Sequence, residues 1–398
     1  MKNVFIASFD MEVGGVERSL VHLLEHFDYR RYAVDLLLYR RSGDFLPLLP
    51  KEANLLEEVR QLATFRKSIK ETFREGRFGL GLVRLFAKAR ADALGRRKAL
   101  AEPGYYQLQL MWKYALPLLP RIEREYDAAI SYLWPHEFVG AKVRAKRKIA
   151  WIHTDYSTVE TDVALDLAMW GRFDAIVAVS DACRESFLRK YPELERKVAV
   201  VENLHSPAFI ERMSREPLER PMAGDDRFKV VTVARLSHAK GIDNAVRALR
   251  ILKDRGYDKI AWYVVGYGGD EDAIRRLIAE CGLERDFVLL GKRTNPYPFM
   301  RGADLYVQPS RYEGKAVTVT EAQILGKPVL ITNYATAPSQ VRDRFDGLIA
   351  ELSAEGIADG VERLYLDEGL RRTLSDNCRS VDYGNRGELE KLYRLLEI

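Results

Sequence analysis

Cysteine is scarce in this 398-residue chain. Cys183, Cys281 and Cys378 stand far apart without metal-ligand spacing, and they read as reduced thiols of a cytosolic protein. Long hydrophobic runs are missing too. Nothing approaches the roughly 18–20 apolar residues of a membrane span. The opening Met1-Lys-Asn-Val-Phe-Ile leads into an apolar run of about six residues, too short for the core of a secretion signal. Tandem repeats and low-complexity tracts are also absent. What remains is 47% hydrophobic and 30% charged, a soluble globular composition. The chain is too long for one ordinary core, so two domains are expected.

The charge is unevenly placed. The whole chain carries +5, yet Phe65 to Lys98 alone holds eleven Lys and Arg against Glu71, Glu75 and Asp92, a local +8. Phe65, Ile69 and Phe73, then Leu82, Leu85 and Phe86, recur there at helical spacing, and Gly76, Gly79 and Gly81 interrupt them. Two helices are expected. A basic amphipathic pair suits an anionic membrane surface; equally, it can pack internally with its charges solvated. No nucleic-acid-binding motif accompanies the positive charge, and nucleic acid is not expected as a partner.

Strand and helix patterns alternate through the first half, with strands expected at Val4–Phe9, Ala33–Tyr39, Ala128–Tyr132, Lys148–Ile152, Asp174–Val179 and Lys197–Val201. Residues 205–227, with Pro207, Pro217, Pro221 and an acidic turn, read as a linker. A second series follows, with strands at Phe228–Ala234, Ala261–Val265, Phe287–Leu290, Leu305–Val307 and Val329–Ile331. The expected fold class is α/β, two doubly wound Rossmann-like domains. The first spans 1–205 with the basic insert at about 50–120 and is completed by a helix over 387–398; the second spans 206–386.

The most informative stretch is Gln308 to Ile331, Q-P-S-R-Y-E-G-K-A-V-T-V-T-E-A-Q-I-L-G-K-P-V-L-I. A strand end leads through a loop holding Glu313 into a helix starting near Ala316 or Val317, which stops at Gly326 and Pro328. The β-branched Val317-Thr-Val-Thr320 scores poorly for helix and could be read as strand. A helix N-terminus attracts phosphate, and Glu321 lies roughly 6–7 Å along the axis from Val317, about the reach from a diphosphate to a ribose. Arg235 and Lys240 follow the first strand of the second domain, at the edge where such sheets bind ligands.

Glu313 and Glu321, eight positions apart within P-S-x-x-E-G…E-A-x-x-x-G-K-P-V, resemble the E-x7-E motif of retaining glycosyltransferases of GT-B fold, the family 4 group. Arg235 and Lys240 match that family's R-x4-K-G pattern. The resemblance covers nearly the whole chain outside the insert. It implies two domains facing across a cleft, with the last helix crossing back to the first domain. It also implies a nucleoside-diphosphate sugar donor, UDP-linked, and a lipid-linked or envelope-glycan acceptor. Expected in catalysis are Glu313, His153, Arg235 and Lys240. Expected around the donor are Gly15, Arg235, Lys240, Lys292, Asn295, Ala316, Val317 and Glu321, with the Lys292–Pro296 loop beside the nucleobase. Gly14-Gly15 resembles the family's glycine-rich loop and equally fits an ordinary strand–helix turn. Asp155 and Tyr156 are guesses for the acceptor side, and Ser180 is read as a helix cap. Gly266-Tyr-Gly-Gly269 lacks the full dinucleotide fingerprint, so NAD is discounted and its glycines are assigned to close approach of the donor. Asp270-Glu-Asp272 reads as a helix cap rather than a metal site, and no cofactor or metal is expected. Lys315 and Ala316 depart from the family's commonest residues, leaving the sugar undefined. A nucleotide-sugar 2-epimerase and a non-catalytic, membrane-associated nucleotide-sugar-binding protein remain alternatives. The protein is expected in the cytoplasm or on the cytoplasmic face of the inner membrane, touching it through 65–98.

Overall fold

A computed structural model describes residues 1–98 and 104–397. The chain divides into two compact units, one holding Met1–Glu12, Val16–Glu202 and the C-terminal stretch from Gly387, the other Val13–Gly15 and Asn203–Arg386. Among the described residues each unit is built on one parallel sheet.

In the first unit the strands are β1 (Lys2–Ser8), β2 (Tyr32–Leu38), β3 (Asn54–Leu55), β4 (Ile122–Ser131), β5 (Val143–Ile152), β6 (Ala175–Ala178) and β7 (Val198–Val200), in the order β3-β2-β1-β4-β5-β6-β7. Val4 to Ala7 are all buried, as a central parallel strand covered by helices on both faces must be. The terminal helix Gly387–Glu397 packs on this unit. Tyr393 stacks on Tyr32 with centroids 5.0 Å apart, and its hydroxyl accepts from the Asp28 N–H at 2.6 Å.

The basic insert forms helices Ile69–Arg74 and Phe78–Lys98, followed by Gly104–Ala115. Ser68 and Glu71 make a capping box at the first. Gly76 lies between the first two, but Gly79 and Gly81 do not interrupt: both are inside the longer helix. Gly81 lets that helix press against Phe73, whose ring carbons would lie 2.7 Å from any Cβ added there.

In the second unit β8 (Phe228–Val233), β9 (Ile260–Val265), β10 (Phe287–Gly291), β11 (Leu305–Gln308), β12 (Val329–Thr332) and β13 (Leu348–Ala350) take the order β10-β9-β8-β11-β12-β13. A polar chain crosses its core without loss: Trp262 Nε1 donates to Thr232 Oγ1 at 3.0 Å, and Thr232 Oγ1 donates to the Val307 carbonyl at 2.7 Å. Residues 205–227 are not a plain linker. They carry a helix, Pro207–Ser214, with Ser206 as N-cap accepting from the Phe209 N–H and proline in its first turn. The Val-Thr-Val-Thr run is helical, within Val317–Ile324. Its neighbours in the fold outweigh the weak propensity of β-branched residues.

No helix among the described residues is long and apolar enough to cross a membrane.

Candidate functional site

The second unit gathers its polar side chains where β8 and β11 end. After β8 the chain turns through His238–Lys240 and enters the helix Ile242–Asp254 through Gly241 at φ +63°. A Cβ on Gly241 would lie 2.0 Å from the Pro309 carbonyl oxygen, so the Lys240 turn rests directly on the loop after β11. Arg311 fastens the two loops. Its guanidinium donates to both Asp243 carboxylate oxygens at 2.7 Å and to the His238 carbonyl at 2.8 Å. Burial works against the Asp243 charge, but Arg311 and Arg247 hold its pKa down to about 2.

This clamp brings Lys240 onto Glu313. The ammonium lies 2.6 Å from both carboxylate oxygens. Oε1 also accepts from Ser310 Oγ at 2.6 Å and from Gln308 Nε2 at 3.2 Å. Glu313 is only 8% exposed, so this network compensates a charge largely removed from water. An ammonium has three donors, and the carboxylate uses two. The third can meet a further anion without releasing Glu313.

Glu321, fully buried, accepts from the Tyr297 hydroxyl at 2.8 Å. The helix that carries it starts without a side-chain cap. The Ala316 N–H, expected for the donor, is already occupied by Gln340 Oε1 at 3.2 Å, while Gln340 Nε2 returns a bond to the Ala316 carbonyl. Val317 follows as the first helical residue. Gln340 is in turn fixed by the Tyr334 hydroxyl at 2.8 Å.

The other expected residues are placed differently. Arg235 is exposed and forms no side-chain hydrogen bond or ion pair with the described residues, so it stands outside the Lys240–Glu313 network. Lys292 lies over the Tyr267 ring, 5.0 Å from its centroid. Asn295 uses its amide on the Met213 carbonyl and Glu216, tying its loop to the Pro207–Ser214 helix. Gly266, at φ +156°, would put a Cβ 1.8 Å from the Ala234 carbonyl oxygen. Its glycine therefore admits the protein's own backbone, a correction to its assignment to the donor. The Asp270 side chain caps nothing: it holds the N-cap position of Glu271–Glu280 without a side-chain cap bond. Among the described residues no cluster of His, Cys, Asp and Glu forms a metal-type group.

In the first unit His153 follows β5. Its Nε2 lies 2.9 Å from the Tyr132 carbonyl, which can only accept, so Nε2 carries the proton. Burial pushes its pKa down to about 3, against the bond to Tyr132. The ring is neutral at physiological pH, with Nδ1 an acceptor. Gly15, which belongs with the second unit, opens the helix Gly15–His26, and a Cβ there would meet nothing within 4 Å. Asp155 and Tyr156 serve the fold. Asp155 accepts from the Ser157 N–H at 2.9 Å, and Tyr156 packs against Phe187, Trp170 and Tyr191. Ser180 caps the helix Asp181–Lys190, accepting from the Cys183 N–H.

Tyr297, Ser310, Gln308 and Gln340 were not singled out from sequence. Ser310 and Gln308 lie inside the motif stretch, as polar residues between a strand end and a glutamate. Nothing local marks Tyr297 or Gln340.

Residues 216–381 match the family model of glycosyl transferases group 1. The chain is 24% identical over 183 residues to the lipopolysaccharide core biosynthesis glycosyltransferase LpsE of Rhizobium meliloti, covering 46% of this chain and 52% of that one. It is 29% identical over 165 residues to the capsular polysaccharide biosynthesis glycosyltransferase CapM of Staphylococcus aureus, covering 39% and 41%. The chain thus spans about half or less of either relative. Over its full length it superposes on the crystal structure of HepE from Anabaena in complex with UDP and glucose, with a TM-score of 0.73, 17% identity and 99% of that chain covered. The fold is GT-B, two Rossmann-like units.

Proposed function

We propose that this chain, whose residues 216–381 match the glycosyl transferases group 1, is a retaining, metal-independent glycosyltransferase of the family 4 type. It moves a hexose or N-acetylhexosamine from a nucleoside-diphosphate sugar, UDP-linked, to a hydroxyl of a lipid-linked or cell-envelope glycan, and it works in the cytoplasm. The acceptor class rests on the names of the relatives, LpsE and CapM. The donor class rests on one observation: the buried Glu313 carries Lys240 on both oxygens, beside a helix start with no side-chain cap.

The chemistry breaks the bond between the sugar's anomeric carbon and the diphosphate oxygen and forms one to the acceptor oxygen. The acceptor proton passes to the departing phosphate on the same face, so configuration is kept. Charge builds on the leaving group. The third donor of Lys240 and the amides at Val317 supply fixed positive potential there, and the exposed Arg235 guanidinium adds its charge from the solvent side. Glu313, held by Ser310 and Gln308, orients the sugar and offsets positive charge on the ring. Glu321 takes the ribose hydroxyls, and Tyr297 sets its direction. His153 offers Nδ1 to a sugar hydroxyl.

The test is product analysis on the purified full chain. A panel of UDP-sugars is screened by thermal shift, because a ligand of the native state raises apparent stability. Transfer with the hit is then followed with and without a chelator. Transfer with retained configuration, unchanged by the chelator, is expected. Epimerised nucleotide sugar without transfer, or binding without turnover, would overturn the reading.

A further inference from the structure

We propose that the outward face of the Phe78–Lys98 helix docks on an anionic lipid surface. This helix is apolar on two sides. Its inner side places Leu80, Ala87 and Ala91 in the core of the first unit. Its outer side carries Phe78, Leu82, Leu85 and Phe86, which are 63%, 61%, 46% and 54% exposed. The spacings of four, three and one put them on one stripe at ~100° per residue. Ten large apolar side chains are exposed among the described residues, and four of them fall in these nine positions. Leu118, 47% exposed, adjoins the same helix at Gly79.

Size is inverted here. A helix serving only its own core would turn phenylalanine and leucine inward and alanine outward. Exposed apolar residues are ordinarily scattered singly. Phe78 and Phe86 touch Phe73 and Tyr114 with one side of each ring, yet more than half of each stays exposed, and a continuous stripe of large exposed side chains leaves a face for a partner outside the chain.

The flanks identify that partner. Arg77 and Lys88 border the stripe on one side and Arg90 on the other. Lys70 and Arg74 stand exposed on the preceding helix. Of the nearby acids, Glu75 is neutralised by Lys67 at 2.5 Å, while Glu71, which caps its own helix with Ser68, keeps its charge, so the five cations stay in excess. Asp92 is exposed beside them. Arg84 is not part of the basic face. It turns inward, donating to the Thr64 carbonyl at 2.8 Å and Thr72 Oγ1 at 2.9 Å, and burial lowers its pKa. The charges expected from Arg66, Arg96, Arg97 and Lys98 belong to side chains outside the described ones. Large apolar side chains flanked by cations are the pattern of a helix lying in a bilayer interface, where the stripe enters the acyl boundary and the cations meet lipid phosphates.

The proposal involves no residue of the donor site and is read without any nucleotide sugar, so its failure is separate from failure of the transferase reading. Full-length protein is floated with vesicles of phosphatidylcholine alone and of phosphatidylcholine with phosphatidylglycerol. Flotation with the second and not the first is expected, weakening as salt is raised. Leu82→Ser with Phe86→Ser should lower the bound fraction roughly tenfold or more. Arg77→Gln with Lys88→Gln should lower it several-fold. All four side chains reach solvent, so melting curves should stay close to wild type; if the serine pair does not fold, Phe78→Ser alone replaces it. No flotation with anionic vesicles overturns the proposal, as does flotation that survives both pairs. A wild-type dimer that becomes monomeric in Leu82→Ser/Phe86→Ser without flotation assigns the face to a second copy of the chain instead.

Discussion

Lys240 and Glu313 lie 73 positions apart in the chain, yet the Lys240 ammonium is 2.6 Å from each Glu313 carboxylate oxygen. The pair has both a structural and a chemical role, and substitutions can separate the two. Lys240→Met leaves a carboxylate 8% exposed with only Ser310 and Gln308 as donors, which should cost about 1–3 kcal/mol of stability. Lys240→Met with Glu313→Leu should cost clearly less than the two single changes summed, because no lone charge is left behind. Transfer should fall by roughly 10²-fold or more in all three, since the leaving-group charge loses its cation or the sugar its orienting carboxylate. Denaturant melts and turnover measured side by side check both halves. A double variant that regained activity with its stability would reduce the pair to a scaffold.

Tyr297 has a narrower role. Tyr297→Phe removes the hydroxyl that Glu321 accepts at 2.8 Å and leaves a fully buried carboxylate less satisfied. Stability should fall by about 1–3 kcal/mol. The kinetic effect should appear in donor KM, rising roughly tenfold, with kcat changed much less, because ribose binding is shared by ground and transition states. An equal loss in kcat at unchanged KM would show that Tyr297 acts on the reacting centre.

Gly241 tests the clamp. Gly241→Ala forces a Cβ to within 2.0 Å of the Pro309 carbonyl oxygen at φ +63°. The Lys240 turn must then lift off the loop after β11. Stability should drop by more than about 1 kcal/mol, with loss of thermal stabilisation by UDP-sugars. Gly269→Ala, where a Cβ meets nothing within 4 Å, is the control and should be near neutral. Equal effects from both would remove the clamp from the account.

These contacts mark where the sequence could be read and where it could not. The helix at Val317–Ile324 was legible in spite of its β-branched run, because Glu313-Gly314 before it and Gly326-Lys-Pro328 after it bound a helix whatever lies between. The Pro207–Ser214 helix was missed for the opposite reason. Three prolines suggested a linker, yet Ser206 then Pro207 is an N-cap and first-turn signal. Tyr297 to Glu321 and Gln340 to Ala316 each span 24 positions. Such contacts follow from which strands neighbour each other, and no local spacing encodes that. Gly266 shows a different limit. Glycine announces close approach without saying to what, and here the partner is the Ala234 carbonyl. In the basic insert, periodicity located the helices, but apolar residues lie on both sides of Phe78–Lys98, so it could not tell the buried side from the exposed one.

Titration of the first unit gives the last expectation. Burial raises the Glu137 pKa to about 8, with Asp166 adding to it and Arg172 opposing, and Glu137 Oε2 has no hydrogen-bond partner. From its ordinary value of 4.5 up to about 8, the folded protein therefore holds a proton that the unfolded chain has lost. Its contribution to stability is complete below that window and declines as pH rises through it. His136 and His153 act in the other direction. Burial depresses both to about 3, so below 6.5 the unfolded chain takes up protons that the folded one refuses, and stability falls as pH drops. Glu137→Gln deletes only the first effect. Its melting temperature relative to wild type should rise steadily from pH 5 to pH 8, while the acid-side decline from the two histidines persists unchanged. A wild-type–variant difference that stays constant across that range would mean that the Glu137 carboxyl titrates alike in both states and that its burial is not felt as charge.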